Sequence, residues 1–327
     1  MPPNKRLGIT CGGTGGHVYP AIAVAQELTD IDFFFIGSAH RQDSKIVSRY
    51  GFEYLPIPSS RRNLWVIYKA YRAAKKILKD RRVDCLLGTG GYSTLPVILA
   101  AFRLGIPIVL HEQNVLPGKV NRWMQYLARR ILVSFEESVS WFNANKTVVT
   151  GNPVRKHFPA SSLELPADRP VLLVFGGSQG AQKLNDLLAL HYDKFKNYTL
   201  VHITGDNSEP VNAGHLITMP YFENMAYLYE RARLVICRAG ATSIAELAYF
   251  GVPGLLIPYP FAADNHQLVN AQVFEKMGLG FYLEEKHLTI DSLLAKLDAV
   301  LSIKPKTPFL DARSGVISEL RTVLRLR

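Results

Sequence analysis

Short apolar runs of strand length recur along the chain, and segments with the apolar spacing of helices separate them. In the first half these runs lie at residues 7–11, 33–38, 85–91, 106–114, 130–135 and 147–153. A continuous apolar run of this length is typical of a strand that is buried on both faces. The alternation of such strands with helices predicts an α/β fold with a parallel, doubly wound sheet.

The pattern begins again after residues 154–169, which are rich in proline, serine and charged residues. In the second half, strand-like runs lie at residues 171–181, 199–205, 234–243 and 252–258, and residues 314–327 have the pattern of one more helix. A chain of 327 residues is long enough for two domains of average size. We therefore predict two Rossmann-like domains, residues 1–153 and 170–313, joined by a linker at residues 154–169.

The sequence TCGGTGGHVYPA at residues 10–21 predicts a glycine turn between a strand and a helix. Glycine lacks Cβ and allows positive φ, so a ligand can approach the main chain closely. The helix start presents N–H groups and partial positive charge to an anion or an electron-rich oxygen. The spacing is neither G-x-G-x-x-G nor that of a phosphate-binding loop with its lysine. The alternative is a turn that needs glycine only for folding.

His17 follows this turn, at or near the N-terminus of the predicted helix. The helix dipole disfavours additional positive charge there and tends to keep the imidazole neutral. A neutral imidazole can act as a general base. The alternative is a structural histidine that caps the helix.

Glycine and polar residues also follow other predicted strands, at the sheet edge where doubly wound folds bind ligands. Residues 176–181 (GGSQGA) and 238–246 (RAGATSIAE) each predict a turn that offers backbone N–H groups to a phosphate. Glu246 can accept hydrogen bonds from ribose hydroxyls, and the side chains of residues 264–270 suit sugar hydroxyls. Two more polar clusters lie at residues 90–93 (GGYS) and 111–114 (HEQN). The alternative is an ordinary loop contact for residues 90–93 and 111–114, and a solvated helix face for residues 264–270. For Glu246 it is a glutamate near a helix N-terminus that the helix dipole stabilises.

Composition narrows the classes of partner and site. The net charge of +11 indicates an anionic partner, which can be a phosphate ligand, a nucleic acid or an acidic membrane surface. Cys11, Cys85 and Cys237 have no paired spacing and no neighbouring histidine cluster, so we predict reduced thiols and neither disulfides nor zinc ligands. The sequence contains no signal peptide and no apolar run of membrane-spanning length, which predicts a cytoplasmic protein.

Residues 61–82 form a basic segment with nine Lys or Arg residues and one acid, Asp80. At helical spacing, one face carries Leu64, Ile67, Tyr68, Tyr71, Ala74 and Leu78, which we expect to pack on the domain. A second face carries Lys69, Arg72, Lys76 and Lys79 with Trp65 beside them, which we expect to face anionic lipid. A solvated basic helix and an RNA contact are the alternatives.

Seven of these segments, taken in order, resemble the motifs of a known family. They are GGTGGHVYPA (12–21), GGY (90–92), HEQN (111–114), GNPVR (151–155), GGSQGA (176–181), CRAGATSIAE (237–246) and DNHQLVNA (264–271). The set is similar to the MurG family, bacterial peptidoglycan enzymes of glycosyltransferase family 28. These enzymes move N-acetylglucosamine (GlcNAc) from UDP-GlcNAc onto lipid I, an undecaprenyl-pyrophosphoryl-N-acetylmuramyl pentapeptide, and form lipid II.

The resemblance covers nearly the whole chain and implies a GT-B fold. In this fold two Rossmann-like domains face each other across a cleft, and the last helix, here about residues 314–327, returns to the N-terminal domain. The resemblance further implies an inverting, metal-independent enzyme without a cofactor, bound peripherally at the cytoplasmic face of the inner membrane. The expected partners are UDP-GlcNAc, lipid I, an anionic membrane surface and proteins of cell-wall synthesis or division, and not nucleic acid.

The resemblance also implies roles for individual residues. His17 is the implied base, and Tyr92 and Glu112 are implied on the acceptor side. The implied donor-sugar contacts are Thr14, Gly15, Gly16 and Asn114, and those to the UDP phosphates or nearby groups are Arg155 and Ser178. Phe222 is implied at the uracil, and Gln267 with His266 at the GlcNAc hydroxyls. The residues implied to hold the pyrophosphate and ribose are Ala241, Thr242, Ser243 and Glu246.

The chain departs from the family pattern in two respects: it is somewhat short, and it has STLPVI after GGY.

Other interpretations of the function stay open. They are another GT-B transferase with a lipid acceptor such as diacylglycerol, a UDP-sugar epimerase, or a basic nucleic-acid-binding protein. Asp30 and Asp32 match the letters of a D-x-D metal motif but follow the first helix in a predicted loop.

Overall fold

The computed structural model describes residues 5–13, 15–39, 42–158, 163–177, 180–205, 209–303 and 312–326. The strands are β1 Arg6–Thr10, β2 Asp32–Ser38, β3 Tyr54–Ile57, β4 Cys85–Gly88, β5 Ile108–Glu112, β6 Arg130–Val133, β7 Thr147–Val149, β8 Val171–Phe175, β9 Thr199–Ile203, β10 Val211–Ala213, β11 Leu216–Met219, β12 Ala232–Cys237, β13 Gly254–Leu256 and β14 Gly280–Tyr282. The helices are α1 Gly15–Ala25, α2 Gln42–Arg49, α3 Leu64–Asp80, α4 Leu95–Arg103, α5 Lys119–Met124, α6 Gln182–Ala189, α7 Met225–Tyr229, α8 Ala241–Phe250, α9 His266–Lys276, α10 Ile290–Leu301 and α11 Ala312–Leu324.

The chain divides into two compact units. Unit 1 comprises Met1–Lys156 and Asp311–Arg327, and unit 2 comprises His157–Leu310. The division between them falls inside the segment predicted as a linker. The last helix, α11, belongs to unit 1, where it packs against α1.

The sheet of unit 1 has the strand order β3-β2-β1-β4-β5-β6-β7, and all its neighbouring strands are parallel. Helices cover both faces, so successive residues of one strand are buried in different cores. In β2, Phe35 packs with residues of α1 and α11, whereas Phe34 and Ile36 pack with residues of α3 and α4. This two-sided burial explains why the strands have continuous apolar sequences.

The sheet of unit 2 has the order β10-β11-β9-β8-β12-β13-β14. The pair β10–β11 is antiparallel and the other pairs are parallel. Apart from β10 and β7 at the edges, each unit has the strand order 3-2-1-4-5-6 of a doubly wound sheet, with the chain reversing beside its first strand. The predicted fold class, two Rossmann-like domains, is confirmed.

Candidate active site

His17 lies in the first turn of α1, just beyond the carboxyl end of β1, and its side chain is half-buried. Its Nδ1 atom lies 2.8 Å from Oε1 of Gln113. The hydroxyl of Thr89 donates to the backbone oxygen of His17 over 2.8 Å. Because Thr89 follows β4 and Gln113 follows β5, these bonds tie the start of α1 to two other strand ends.

The glycine turn before His17 is only partly described. Thr14 lies outside the described residues. Gly15 begins α1 and is half-buried, and Gly16 is exposed. The exposed backbone of Gly16 is consistent with the predicted close approach of a ligand to the main chain.

Two glycines after β4 lie against this region. Gly90 has a φ of +94°, and a Cβ atom there would lie 3.2 Å from both Cε1 and Nδ1 of His17. Gly91 has a φ of +93°, and a Cβ atom there would overlap the backbone oxygen of Gly12. The GGY segment therefore needs glycine for two reasons: backbone conformation and its contact with the first glycine turn.

The segment HEQN separates into two pairs, because successive side chains of a strand point to opposite faces. On one face, Nε2 of Gln113 lies 2.9 Å from Nδ1 of His111. Nε2 of His111 lies 3.1 Å from the backbone oxygen of Gly151. Both side chains are buried, and burial lowers the pKa of His111 to about 4 although its bond to Gly151 acts in the opposite direction. His111 is therefore neutral at neutral pH.

On the other face, Glu112 organises the loop that follows β5. Its carboxylate accepts hydrogen bonds from the backbone and side chain of Asn114, from the Gly118 N–H and from the Asn121 amide, at distances of 2.9–3.3 Å. Glu112 is 1% exposed, whereas Asn114 is half-buried. Any influence of Glu112 on a ligand must therefore pass through this loop.

Two further predicted residues of unit 1 have different surroundings. Tyr92 is half-buried at the start of the short turn before α4, with the guanidinium of Arg61 5.0 Å from its ring centroid. Arg155 is only 5% exposed, donates to the hydroxyl of Tyr50 over 2.9 Å, and stacks 3.9 Å from the ring centroid of Tyr19. This placement makes Arg155 part of the packing of unit 1 and gives no support to its predicted phosphate contact.

The basic helix α3 begins at Leu64, and the side chain of Asn63 caps it by accepting from the N–H groups of Trp65 and Val66. As predicted from the spacing, the four basic side chains of the second face are exposed: Lys69, Arg72, Lys76 and Lys79. The prediction for the apolar face is wrong at its start, since Leu64 is 79% and Tyr68 46% exposed. Full burial begins at Ala70, so the first turn of α3 extends past the core.

These exposed residues form one mixed surface, which we call the α3 patch and define as Leu64, Trp65, Tyr68, Lys69, Arg72, Lys76 and Lys79. The rings of Trp65 and Tyr68 stack with 5.7 Å between centroids, and the Lys69 ammonium lies 5.5 Å from the Trp65 ring centroid. Arg72 donates to the Tyr68 hydroxyl over 3.4 Å, and Lys76 pairs with Asp80. Among the described residues, no helix is both long and apolar enough to cross a membrane.

In unit 2, the turn after β12 leads directly into α8. Gly240 precedes the helix, and within the described part of the chain no side chain caps this end. Ala241, Thr242 and Ser243 form the first turn, where backbone N–H groups carry partial positive charge. Glu246, one turn further along, is 5% exposed and accepts a hydrogen bond of 2.8 Å from the buried hydroxyl of Tyr229.

The other predicted donor-site residues of unit 2 lie in separate segments. Ser178 is outside the described residues. Phe222 is half-buried before α7. His266 and Gln267 open α9, where Nδ1 of His266 lies 2.7 Å from the Ala263 oxygen and Gln267 accepts from the Tyr259 N–H over 2.9 Å.

The entry to α9 has an unusual backbone. Asp264 and Asn265 both have positive φ, 51° and 54°. Among residues other than glycine, Asn and Asp adopt this conformation most readily, and such positions cluster at functional sites. His266 and Gln267, which are predicted to contact a sugar, follow directly after this turn.

The structure links His17 to the HEQN segment through Gln113, a residue that the sequence analysis did not single out, and behind Gln113 lies His111. The signal that could have found both is the period of two along a strand. If His111 and Gln113 share one face, they face away from Glu112 and Asn114. Among the described residues, no group of three or more His, Cys, Asp or Glu side chains is placed to hold a metal ion.

Comparison with known proteins gives matches over both units. Residues 7–133 match the model of the glycosyltransferase family 28 N-terminal domain, and residues 171–316 match that of the family 28 C-terminal domain. The UDP-N-acetylglucosamine--N-acetylmuramyl-(pentapeptide) pyrophosphoryl-undecaprenol N-acetylglucosamine transferase of Trichodesmium erythraeum is 38% identical over 320 residues, covering 92% of this chain and 85% of the relative. The protein of the same name from Thermoanaerobacter pseudethanolicus is 37% identical over 324 residues, covering 89% of each chain.

Solved structures give a consistent result. The crystal structure of Acinetobacter baumannii MurG has a TM-score of 0.73 and 27% identity, covering 98% of this chain and 100% of that one. UDP-GlcNAc 2-epimerase from Neisseria meningitidis has a TM-score of 0.67 at 14% identity, covering 97% and 100%, which shows a shared fold alone. From the two family models and the identity to these transferases, the chain belongs to glycosyltransferase family 28.

Proposed function

We propose that this chain transfers GlcNAc from UDP-GlcNAc to the C4 hydroxyl of the N-acetylmuramyl residue of lipid I, with inversion at the sugar, and forms lipid II. The observation that carries the proposal is His17, held through Nδ1 at the strand ends of unit 1. The chain's relatives, named as enzymes of this reaction, are 37–38% identical to it. The residues of the site have chemistry that suits each step.

The proton transfer is assigned to His17. The acceptor hydroxyl has a pKa far above neutral, so a base must take its proton as its oxygen attacks the anomeric carbon. In this step the O–H bond breaks and the proton goes to Nε2 of His17, while the oxygen forms a bond to C1 of GlcNAc. The bond from C1 to the pyrophosphate oxygen breaks, and its electron pair leaves with UDP. Attack opposite the leaving group converts the α-linked donor into a β-linked product.

The donor is assigned mainly to unit 2. Backbone N–H groups at the start of α8, with Thr242 and Ser243, suit the negative charge on the pyrophosphate as it leaves. A bond from the buried Glu246 carboxylate to ribose hydroxyls would add specificity for a nucleotide. We assign Phe222 to the uracil, and Gln267 with His266 to the GlcNAc hydroxyls. Ser178 remains assigned to the phosphates.

The acceptor side is assigned to unit 1. Gly15, Gly16 and Asn114, with Thr14, are assigned to the sugar of the donor close to the attacking hydroxyl. Tyr92 and the loop organised by Glu112 are assigned to the acceptor. A substrate with a polyprenyl tail requires the enzyme to work at a membrane, and the α3 patch combines exposed aromatic rings with basic side chains as peripheral membrane helices do. We therefore assign the chain to the cytoplasmic face of the inner membrane, with anionic lipid as its partner.

The test is release of UDP from UDP-GlcNAc in the presence of EDTA, with and without a soluble lipid I analogue. The proposal predicts release only with the analogue and formation of the β-linked disaccharide product. Release without any acceptor would instead favour an epimerase or hydrolase. Release with diacylglycerol but not with the analogue would identify another lipid glycosyltransferase. Stabilisation of the fold by RNA but not by UDP-GlcNAc would favour a nucleic-acid-binding protein.

A further inference from the structure

A chain of three hydrogen bonds connects the backbone of Gly151 to the imidazole of His17. The first joins the Gly151 oxygen to Nε2 of His111 over 3.1 Å, and the second joins Nδ1 of His111 to Nε2 of Gln113 over 2.9 Å. The third joins Oε1 of Gln113 to Nδ1 of His17 over 2.8 Å. His111 and Gln113 are each 1% exposed, so water competes poorly for these bonds.

The direction of the first two bonds follows from the chemistry of their ends. A carbonyl oxygen only accepts, so Nε2 of His111 must carry the proton. His111 is neutral at neutral pH because burial lowers its pKa to about 4. A neutral imidazole has one N–H group, so Nδ1 of His111 is an acceptor. The group of Gln113 that faces it must therefore be the amide NH₂.

The orientation of the Gln113 amide then fixes the third bond. With its NH₂ group on His111, its oxygen faces His17, and this oxygen can only accept. A second contact agrees with this orientation, because Nε2 of Gln113 also donates to the backbone oxygen of His111 over 3.2 Å. Nδ1 of His17 must therefore carry its proton, and the lone pair of neutral His17 is on Nε2.

We infer that Gln113 is a positioning residue, which holds His17 in the tautomer with the proton on Nδ1 and leaves Nε2 as the basic atom. The use of this atom in catalysis rests on the proposed function, whereas the tautomer itself does not. His111 supports Gln113 by fixing which way its amide points. Glycine at position 90 leaves room for the His17 ring, since a Cβ atom there would lie only 3.2 Å from Nδ1 of His17.

A glutamine has a specific advantage in this position. A carboxylate bonded to Nδ1 would stabilise the imidazolium, as it does in many catalytic histidine pairs. The neutral amide fixes the same tautomer without adding a full charge. Among the described contacts of the His17 ring, those on the Nδ1 side come from uncharged groups, with the neutral His111 behind them.

The direct test is nitrogen-15 NMR of the full chain labelled at histidine, at about pH 8 where free imidazole is neutral. Long-range proton–nitrogen correlations distinguish the two tautomers, and the signal of His17 is identified by its loss in His17→Asn. We expect a protonated Nδ1 and an unprotonated Nε2, the less common form in free histidine. A protonated Nε2, or an averaged pattern of both forms, would overturn the inference.

Two variants connect the tautomer to turnover. Gln113→Met has similar length and no acceptor, so we expect kcat to fall at least about ten-fold, with KM for UDP-GlcNAc nearly unchanged. The about 10²- to 10⁴-fold contribution of a general base is the upper limit of this effect. Gln113→Glu keeps an acceptor toward His17 and is expected to recover part of this loss. The matched control is Gln125→Met, on a half-buried glutamine of unit 1 that bonds Arg122 and Asn143.

The outcomes separate this inference from the proposed function. A wild-type chain with the expected tautomer but no transfer to lipid I would support the positioning role and contradict the proposed function. A chain that transfers GlcNAc while His17 carries its proton on Nε2 would support the proposed function and contradict the positioning role. Equal losses in Gln113→Met and Gln113→Glu, with KM raised in both, would indicate a merely structural role and overturn the inference.

Discussion

The two units have nearly the same strand order, yet they place different chemical groups at the carboxyl ends of their strands. In unit 1, buried side chains from the end of β5 hold an imidazole at the start of α1. In unit 2, the start of α8 presents backbone N–H groups, and one turn further along lies a buried carboxylate, Glu246. The comparison teaches that topology provides the location of a site, whereas the residues of the turns decide which chemical groups are present there.

The largest expected effect is on the imidazole of unit 1. We expect His17→Asn to lower kcat for transfer to a lipid I analogue by about 10²- to 10⁴-fold, the usual contribution of a general base. Steady-state kinetics measure this, with His287→Asn, an exposed histidine of unit 2, as the control. An unchanged kcat in His17→Asn would show that His17 is not the general base.

The second-largest expected effect is on the binding of UDP by unit 2, through Glu246. Glu246→Gln keeps the size of the side chain and removes its charge, so hydrogen bonds to ribose hydroxyls become weaker. We expect the Kd for UDP to rise about 10- to 100-fold, the worth of a hydrogen bond to a charged group. Calorimetric titration measures the Kd, and Glu230→Gln is the matched control on an exposed site. Equal affinities in both variants would exclude Glu246 from the nucleotide site.

Membrane binding should also differ between the units. We expect Lys69→Gln combined with Lys76→Gln to weaken binding to vesicles with acidic lipid about 30-fold, at about 1 kcal/mol for each basic residue. The control is Lys194→Gln combined with Lys196→Gln, two exposed lysines of unit 2. Co-sedimentation at low and high salt measures the effect. Equal losses in the two double variants would contradict a specific role for the α3 patch.

The smallest effect is a pH dependence of stability that originates in unit 1. Because the pKa of His111 is lowered from 6.5 to about 4, the unfolded chain binds a proton in this pH range that the folded chain does not. Stability therefore falls as the pH falls from 6.5 toward 4. By about pH 5.5, the wild type should lose about 1 kcal/mol that His111→Gln does not lose. Urea unfolding measures both proteins, and parallel losses would show that His111 is not held neutral.

Much of this comparison could be predicted from the sequence. Continuous apolar runs ending in glycine predicted both doubly wound sheets, because parallel strands buried on two faces have that pattern. The motifs also placed His17 at a helix start. The hydrogen bond from Gln113 to His17 could not be predicted, since it joins residues 96 positions apart. The exposed first turn of α3 was missed as well, because helical spacing shows which residues share a face and not where the core ends.

The most direct test of this division between the units is the Kd for UDP of the His17→Asn enzyme, measured beside wild type and Glu246→Gln. If unit 1 carries proton transfer and unit 2 holds the nucleotide, the Kd of His17→Asn should stay within about two-fold of wild type while its kcat falls. Loss of UDP binding in His17→Asn as large as in Glu246→Gln would contradict the account.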